Sequence, residues 1–367
     1  MPRKKLLFVD MYPISMTYKL LYFLRNYFDI TLIVLQSKKN SDLLLEDYKS
    51  LGVKIYFFDP YGCKKEKIKL IFRLITERLR GYHFVLGKAG PNWPTYLLFK
   101  IFHSSKKIYF PYDVFLFLWK DQTIRPWTGR MFEKSNLKNA DFILHKGPEN
   151  QFNLVRKDEV KKIKGIPIQF ISCFDDWIVP INKNKTKEPS LVYIGICPDK
   201  EISNKYSFFD LFKKILDSGM NLHVYSMKNV ENQGFIPVNR KNIFYHNPIS
   251  NKILNKEISK YHYGVCLGFF NRNLVDDRFL KTTIGNKVIS YLEAGIPIIV
   301  NDETEFSAEL VRKYNCGIVI SENDLPNLNK IIKKQKYSEL LKGVKMAREN
   351  MLMSKDIKKM IRILNIK

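Results

Sequence analysis

The stretch GNKVISYLEAGIPIIV, residues 285–300, decides the reading of the fold. It reads as a helix that Gly295 and Pro297 stop, followed at once by a buried strand of Ile298, Ile299 and Val300. A join of this kind usually faces a ligand. Asn286, Lys287 and Ser290 lie near the helix start, where backbone amides and the helix dipole favour a phosphate.

Working outward, the chain alternates short apolar runs with amphipathic stretches, the pattern of repeated βαβ units and parallel sheets. The first series of strands is expected at 5–10, 30–35, 53–58, 82–86, 107–110 and 142–145. Helices are expected between them at 16–27, 41–50, 65–80, 93–102 and 130–138. The run ISCFDDWIVPINKNKTKEPS, 171–190, breaks the pattern with two prolines and a Lys/Asn-rich patch, as a linker would. Strands then resume at 191–194, 222–226, 243–245, 263–267, 298–300 and 317–320, and the tail 337–367 is helical by pattern. The fold class is therefore α/β. Its expected domains are a Rossmann-like domain at 1–170, a linker at 171–190 and a second Rossmann-like domain at 191–350, followed by a last helix at 351–367.

A length of 367 residues suits two domains, and 45% hydrophobic with 14% aromatic residues is too apolar for disorder. The five cysteines, Cys63, Cys173, Cys197, Cys266 and Cys316, are odd in number and never spaced Cys-x-x-Cys. They indicate neither a disulfide framework nor a zinc site, and a reducing, cytoplasmic compartment is expected. Asp10 cuts the first apolar run short of a signal-peptide core, and no window is long enough to span a membrane.

The formal charge of +26 suggests a polyanionic partner, although much of it is compositional. Its clusters, at 3–5, 64–67, 156–164 and 330–336, are dispersed and make no stripe with interleaved aromatics. Nucleic acid is thus the weaker expectation, and an anionic membrane surface, met peripherally at the inner face, the stronger one. Aromatics at 115–119 are the expected contact.

Candidate ligand groups follow from strand ends, because doubly wound sheets bind beyond the carboxyl ends of their strands. In VYIGICPDK, Gly195 allows close backbone approach, and Lys200 or Lys205 is placed to reach a phosphate; a plain turn is the competing reading. In IYFPYDVFLFLW, Asp113 follows a strand in an apolar setting that would raise its pKa and suit proton abstraction; a turn-capping role is an equal alternative. Loops at 10–18 and 87–92 are expected to line the acceptor side.

The order of segments in the second half resembles the donor domain of GT-B glycosyltransferases of the group 1, family 4-like kind. SLVYIG is similar to their opening strand, and NIFYHNPIS, with His246, to the segment near the nucleotide base. ISKYHYGVCLGF is similar to the strand entering the cleft, GNKVISYLEAGIPIIV to the diphosphate helix and NCGIVI to the closing strand. The resemblance covers about 130 residues.

It implies a GT-B fold and transfer of a sugar from a nucleotide-diphosphate sugar to a glycan or lipid-linked acceptor, in surface polysaccharide or glycolipid synthesis. No cofactor or metal is implied. Lys287 would neutralise the departing diphosphate, with Gly195, Lys200, His246, Asn286 and Ser290 binding the donor and Asp113 acting on the acceptor. Two glutamates eight positions apart, common in retaining members, would fall at Thr282 and Ser290 and are missing. Glu293 lies one helical turn from the second position and is not taken as its replacement. Glu133, in the segment that resembles the last helix of the acceptor domain, is read as a support residue. A sugar-nucleotide epimerase of the same fold and a non-catalytic basic nucleic-acid- or membrane-binding protein are the competing functions.

Overall fold

A computed structural model describes residues 3–11, 15–36, 48–88, 93–111, 113–121, 127–182, 188–195, 197, 203–226 and 240–366. The chain divides into two compact units, Met1–Phe170 with Asp356–Lys367, and Ile171–Lys355. Each is built on a parallel sheet.

In the first unit the described strands are β1 (Lys4–Asp10), β2 (Phe28–Val34), β3 (Lys54–Phe57), β4 (Phe84–Lys88), β5 (Lys106–Phe110), β6 (Phe142–His145) and β7 (Ile166–Gln169). They run in the order β3-β2-β1-β4-β5-β6-β7. The direction of winding reverses between β1 and β4. Both strands are nearly continuous runs of buried residues, as a sheet covered on both faces requires. The helices include α1 (Ser15–Leu24), α2 (Lys64–Arg78), α3 (Trp93–Ile101) and α4 (Trp127–Asn139). The expected helix at 41–50 lies mostly outside the described residues.

In the second unit the strands are β8 (Ser190–Ile194), β9 (Asn221–Tyr225), β10 (Ile243–His246), β11 (Tyr263–Cys266), β12 (Ile298–Asn301) and β13 (Gly317–Ile320). Their order is β10-β9-β8-β11-β12-β13, so the winding reverses between β8 and β11. Successive residues of β8 enter opposite cores. Leu191 and Tyr193 pack with Phe212 and Ile215 of α5 (Phe208–Asp217), whereas Val192 and Ile194 pack with Val288 and Leu292. Ser207 caps α5 by accepting from the Asp210 amide at 3.1 Å. The remaining helices include α6 (Asn251–Ile258), α7 (Asp277–Thr282), α8 (Asn286–Ala294), α9 (Glu305–Tyr314), α10 (Leu328–Lys333), α11 (Tyr337–Asn350) and α12 (Met353–Ile363).

The stretch 171–190, expected to link the domains, falls in the second unit. Cys173 bonds Met351 across backbone at 2.7 Å, and Val179 bonds Glu293 at 2.8 Å. Residues 356–367 cluster with the first unit, where the Lys4 amine donates to the Asn365 carbonyl at 3.3 Å. No helix among the described residues is long and apolar enough to cross a membrane.

Candidate functional site

The reversal between β8 and β11 leaves a crevice above the carboxyl ends of those strands, and the start of α8 lies there. Tyr291 of α8 fixes this position. Its hydroxyl accepts from the Ile194 amide at 3.2 Å and lies 3.2 Å from the Val192 carbonyl and 3.0 Å from that of Val265, so one side chain ties the helix to both strands. Gly285 precedes α8 in extended conformation and, without a side chain, supplies no capping oxygen to the first turn. At the other end Gly295 turns left-handed, φ 74°, and stops the helix as its sequence indicates.

Lys287 and Gly195 meet. Gly195 has φ 121°, a conformation that side chains disfavour, and a Cβ there would lie 3.0 Å from Cε of Lys287. The Lys287 amine donates to the Tyr193 hydroxyl at 2.7 Å and sits 4.1 Å from the centre of that ring and 5.5 Å from that of Phe208. Two thiols flank it. Burial pushes Cys197 up to about 12, with the Lys287 charge opposing only in part, and raises Cys266 in the same way. Both remain neutral thiols, so neither supplies a thiolate to compensate the ammonium. Asn286 is exposed, and Ser290, one turn on, reaches the Asn286 carbonyl at 3.5 Å.

His246 ends β10, two strands from Gly195, about 10 Å at the usual strand spacing. Its ring stacks on Tyr225 with centres 4.3 Å apart and planes within 9°, and its Nε2 lies 3.0 Å from His223 Nδ1. Burial, with help from Lys260, lowers its pKa, and burial takes His223 down to about 4. The pair is uncharged at neutral pH and offers an aromatic surface along the strand ends.

The other expected residues are placed differently. Lys200 lies outside the described residues. The Lys205 amide donates to the Phe269 carbonyl beyond β11 at 2.7 Å, while its amine is turned to Glu322, past the end of β13, at 2.7 Å. Glu293 is fully buried, where one oxygen accepts from the Phe174 amide at 2.7 Å and the other from Asn255 at 2.9 Å. It clamps the 171–182 segment to α8. Thr282 turns back onto the Arg278 carbonyl at 2.8 Å.

Asp113, in the first unit, is not set among apolar groups. Its side chain is 46% exposed and lies 3.7 Å from the amine of Lys146, whose own pKa burial lowers. Glu133 is buried and accepts from the Phe115 and Leu116 amides at 2.9 and 2.7 Å, which holds the turn after Asp113. Of the aromatics expected to reach a membrane, Phe117 and Trp119 are buried and Phe115 is half-buried.

At the first unit's own switch point, Asp10 ends β1 and Lys88 ends β4. The Lys88 amine contacts both Asp10 oxygens, at 3.1 and 3.2 Å, and Thr17 at 2.8 Å. This buried network anchors the two strand ends whose loops are expected to line the acceptor side. Sequence reading missed it, along with Tyr193 and Tyr225, because a Tyr or Lys within an apolar strand reads as core or edge. The only available signal was a charged residue at each strand's end.

Residues 203–362 match the family Glucosyltransferase 3-like, C-terminal domain. Solved structures similar to the whole chain include sucrose-phosphate synthase from Thermosynechococcus elongatus, with TM-score 0.70, 10% identity and coverage of 99% of this chain and 98% of that one. The chain has the GT-B fold, and its second half is similar to a glucosyltransferase domain. HepE of Anabaena, solved with UDP and glucose, is likewise similar: TM-score 0.65, 11% identity, and 99% and 100% of the two chains covered. So is a putative UDP-N-acetylglucosamine 2-epimerase from Listeria monocytogenes, at 0.56 and 13%, covering 94% and 91%. GT-B architecture is thus shared with an epimerase, and the family match is what separates the two readings. No curated protein matches the sequence.

Proposed function

We propose that this GT-B glycosyltransferase moves a sugar from a nucleoside-diphosphate sugar to a hydroxyl of a glycan or lipid-linked acceptor, in surface polysaccharide or glycolipid synthesis. The observation that carries this reading is Lys287 at the start of α8, against Gly195 at the switch point of the second sheet. As the bond from the anomeric carbon to the diphosphate oxygen breaks, negative charge grows on the leaving group. Lys287 and the first-turn amides of α8 would meet that charge without a metal. Gly195 leaves room for the phosphates, Asn286 and Ser290 border them, and the base lies along Tyr225 and His246. The acceptor oxygen forms the new bond to the anomeric carbon, and Asp113 is the candidate to take its proton. UDP is the first carrier to try, given the UDP and glucose in HepE.

The test is acceptor-dependent release of nucleoside diphosphate from a panel of sugar nucleotides, with magnesium or with a chelator. Release from one donor, unaffected by chelation and lowered roughly 100-fold in kcat/KM by Lys287→Ala, supports the proposal. Epimerised sugar nucleotide with no nucleoside diphosphate released would assign the epimerase reading instead. The acceptor is proposed to be met at an anionic membrane surface, by a cytoplasmic protein that attaches peripherally.

A further inference from the structure

Helix α2 carries two apolar stripes. Leu70 and Leu74, with Glu77, are buried against the first unit. Ile68, Phe72, Ile75 and Leu79, spaced four, three and four apart, form the other stripe, and all are exposed: Phe72 by 66% and Leu79 by 87%. At about 100° per residue the two stripes point in nearly opposite directions. A helix of a soluble domain needs only the first stripe. Among the described residues, the second stripe is left exposed.

The helix is anchored at its far end, so the exposed stripe is not a frayed turn. Buried Glu77 pairs with Arg73 and with Arg80, the latter at 3.0 Å, and the Arg78 guanidinium lies 2.8 Å from His103. Basic residues border the stripe on both sides: Lys64 and Lys65 at its start, Lys67 and Lys69 along it, Arg78 and Arg80 at its end. Glu66, half-buried and held by Lys69 at 2.7 Å, is the carboxylate that lies among them.

We propose that this face of α2 is the docking surface for an anionic lipid bilayer. Phe72, Ile75 and Leu79 would enter the boundary between headgroups and acyl chains. The lysine and arginine stems lie along the apolar stripe with their charges at headgroup level. Charge complementarity selects the occupant. A cationic rim around exposed phenyl and branched alkyl groups matches an anionic interface, whereas nucleic acid gives the alkyl groups nothing to enter. This deepens the membrane partner named in the proposed function and moves it from the largely buried aromatics at 115–119 to α2. It rests on α2 alone, so it and the donor site fail separately.

The experiment is co-sedimentation of the full chain with vesicles of phosphatidylcholine, alone or with about one third phosphatidylglycerol, at about 0.15 M salt. The chain is expected to sediment with the mixed vesicles only, and Phe72→Ser with Leu79→Ser to weaken binding roughly tenfold. Met346→Ser, at a methionine 50% exposed in the second unit, is the control and is expected to bind as the parent does. The unfolding temperature of the double variant without any nucleotide should match the parent's to within a few degrees, which shows that it is folded. Parent protein that ignores mixed vesicles, or a folded double variant that binds them equally well, would overturn the proposal. So would a parental dimer that the two substitutions split without any vesicle binding.

Discussion

Gly195 is the residue on which the proposed donor site turns, because its conformation and its contact with Lys287 go together. With φ at 121° and a missing Cβ that would press on Lys287, it lets the chain leave β8 while the lysine lies across the strand end. Gly195→Ala should lower stability by about 1–3 kcal/mol in urea unfolding and weaken nucleotide binding roughly tenfold by displacing Lys287. Gly295→Ala introduces a similar backbone strain at the far end of α8, and its expected effect is on stability alone. Equal loss of nucleotide affinity in both variants would show that Gly195 acts only through the fold. That Gly195 follows a strand and that Asn286, Lys287 and Ser290 open a helix was legible in the sequence, since a strand end and a helix start are local features; their part in holding a donor is the proposal. The surroundings of Asp113 were not. Neighbours in sequence suggested an apolar setting, but the groups that meet it, Lys146 and solvent, come from another strand end and from exposure.

At the scale of elements, α8 is held by three devices: Tyr291 on two strands, the left-handed stop at Gly295 and Glu293 reaching back to 171–182. Glu293 separates two views of the helix. As a clamp, its replacement leaves the Phe174 amide and the Asn255 side chain without an acceptor, so Glu293→Ala should cost about 2–4 kcal/mol of stability while nucleotide affinity in the folded protein holds. Unchanged stability with lost affinity would make Glu293 a nucleotide ligand instead. The parallel strands were readable because burial on both faces leaves nearly continuous apolar runs, as in β4 and β12. Strand β7 was missed because Pro167 argues against a strand. It is tolerated because β7 pairs only with β6, at the sheet edge. The 171–190 run looked like a linker for its prolines and polar residues, and sequence carries no sign of the buried carboxylate that binds its first half to α8.

For the whole molecule, a charge of +26 gains a location only through structure. Lys64, Lys65, Lys67, Lys69, Arg78 and Arg80 border an apolar stripe on α2, while two other lysines sit at the switch points, Lys88 fixed by Asp10 in the first sheet and Lys287 against Gly195 in the second. Lys287, at the second of these, is proposed to hold a nucleoside diphosphate. The direct measurement is the thermal shift of parent and Lys287→Ala with UDP, GDP, CMP, ADP and TDP, each with magnesium and with chelator. Binding to the folded state raises apparent stability by mass action, about 2.7 kcal/mol at a hundred times Kd. The account predicts that one nucleoside diphosphate stabilises the parent equally with and without metal, and that Lys287→Ala loses the shift. A parent that no nucleotide stabilises, or a Lys287→Ala variant that keeps the full shift, would contradict it.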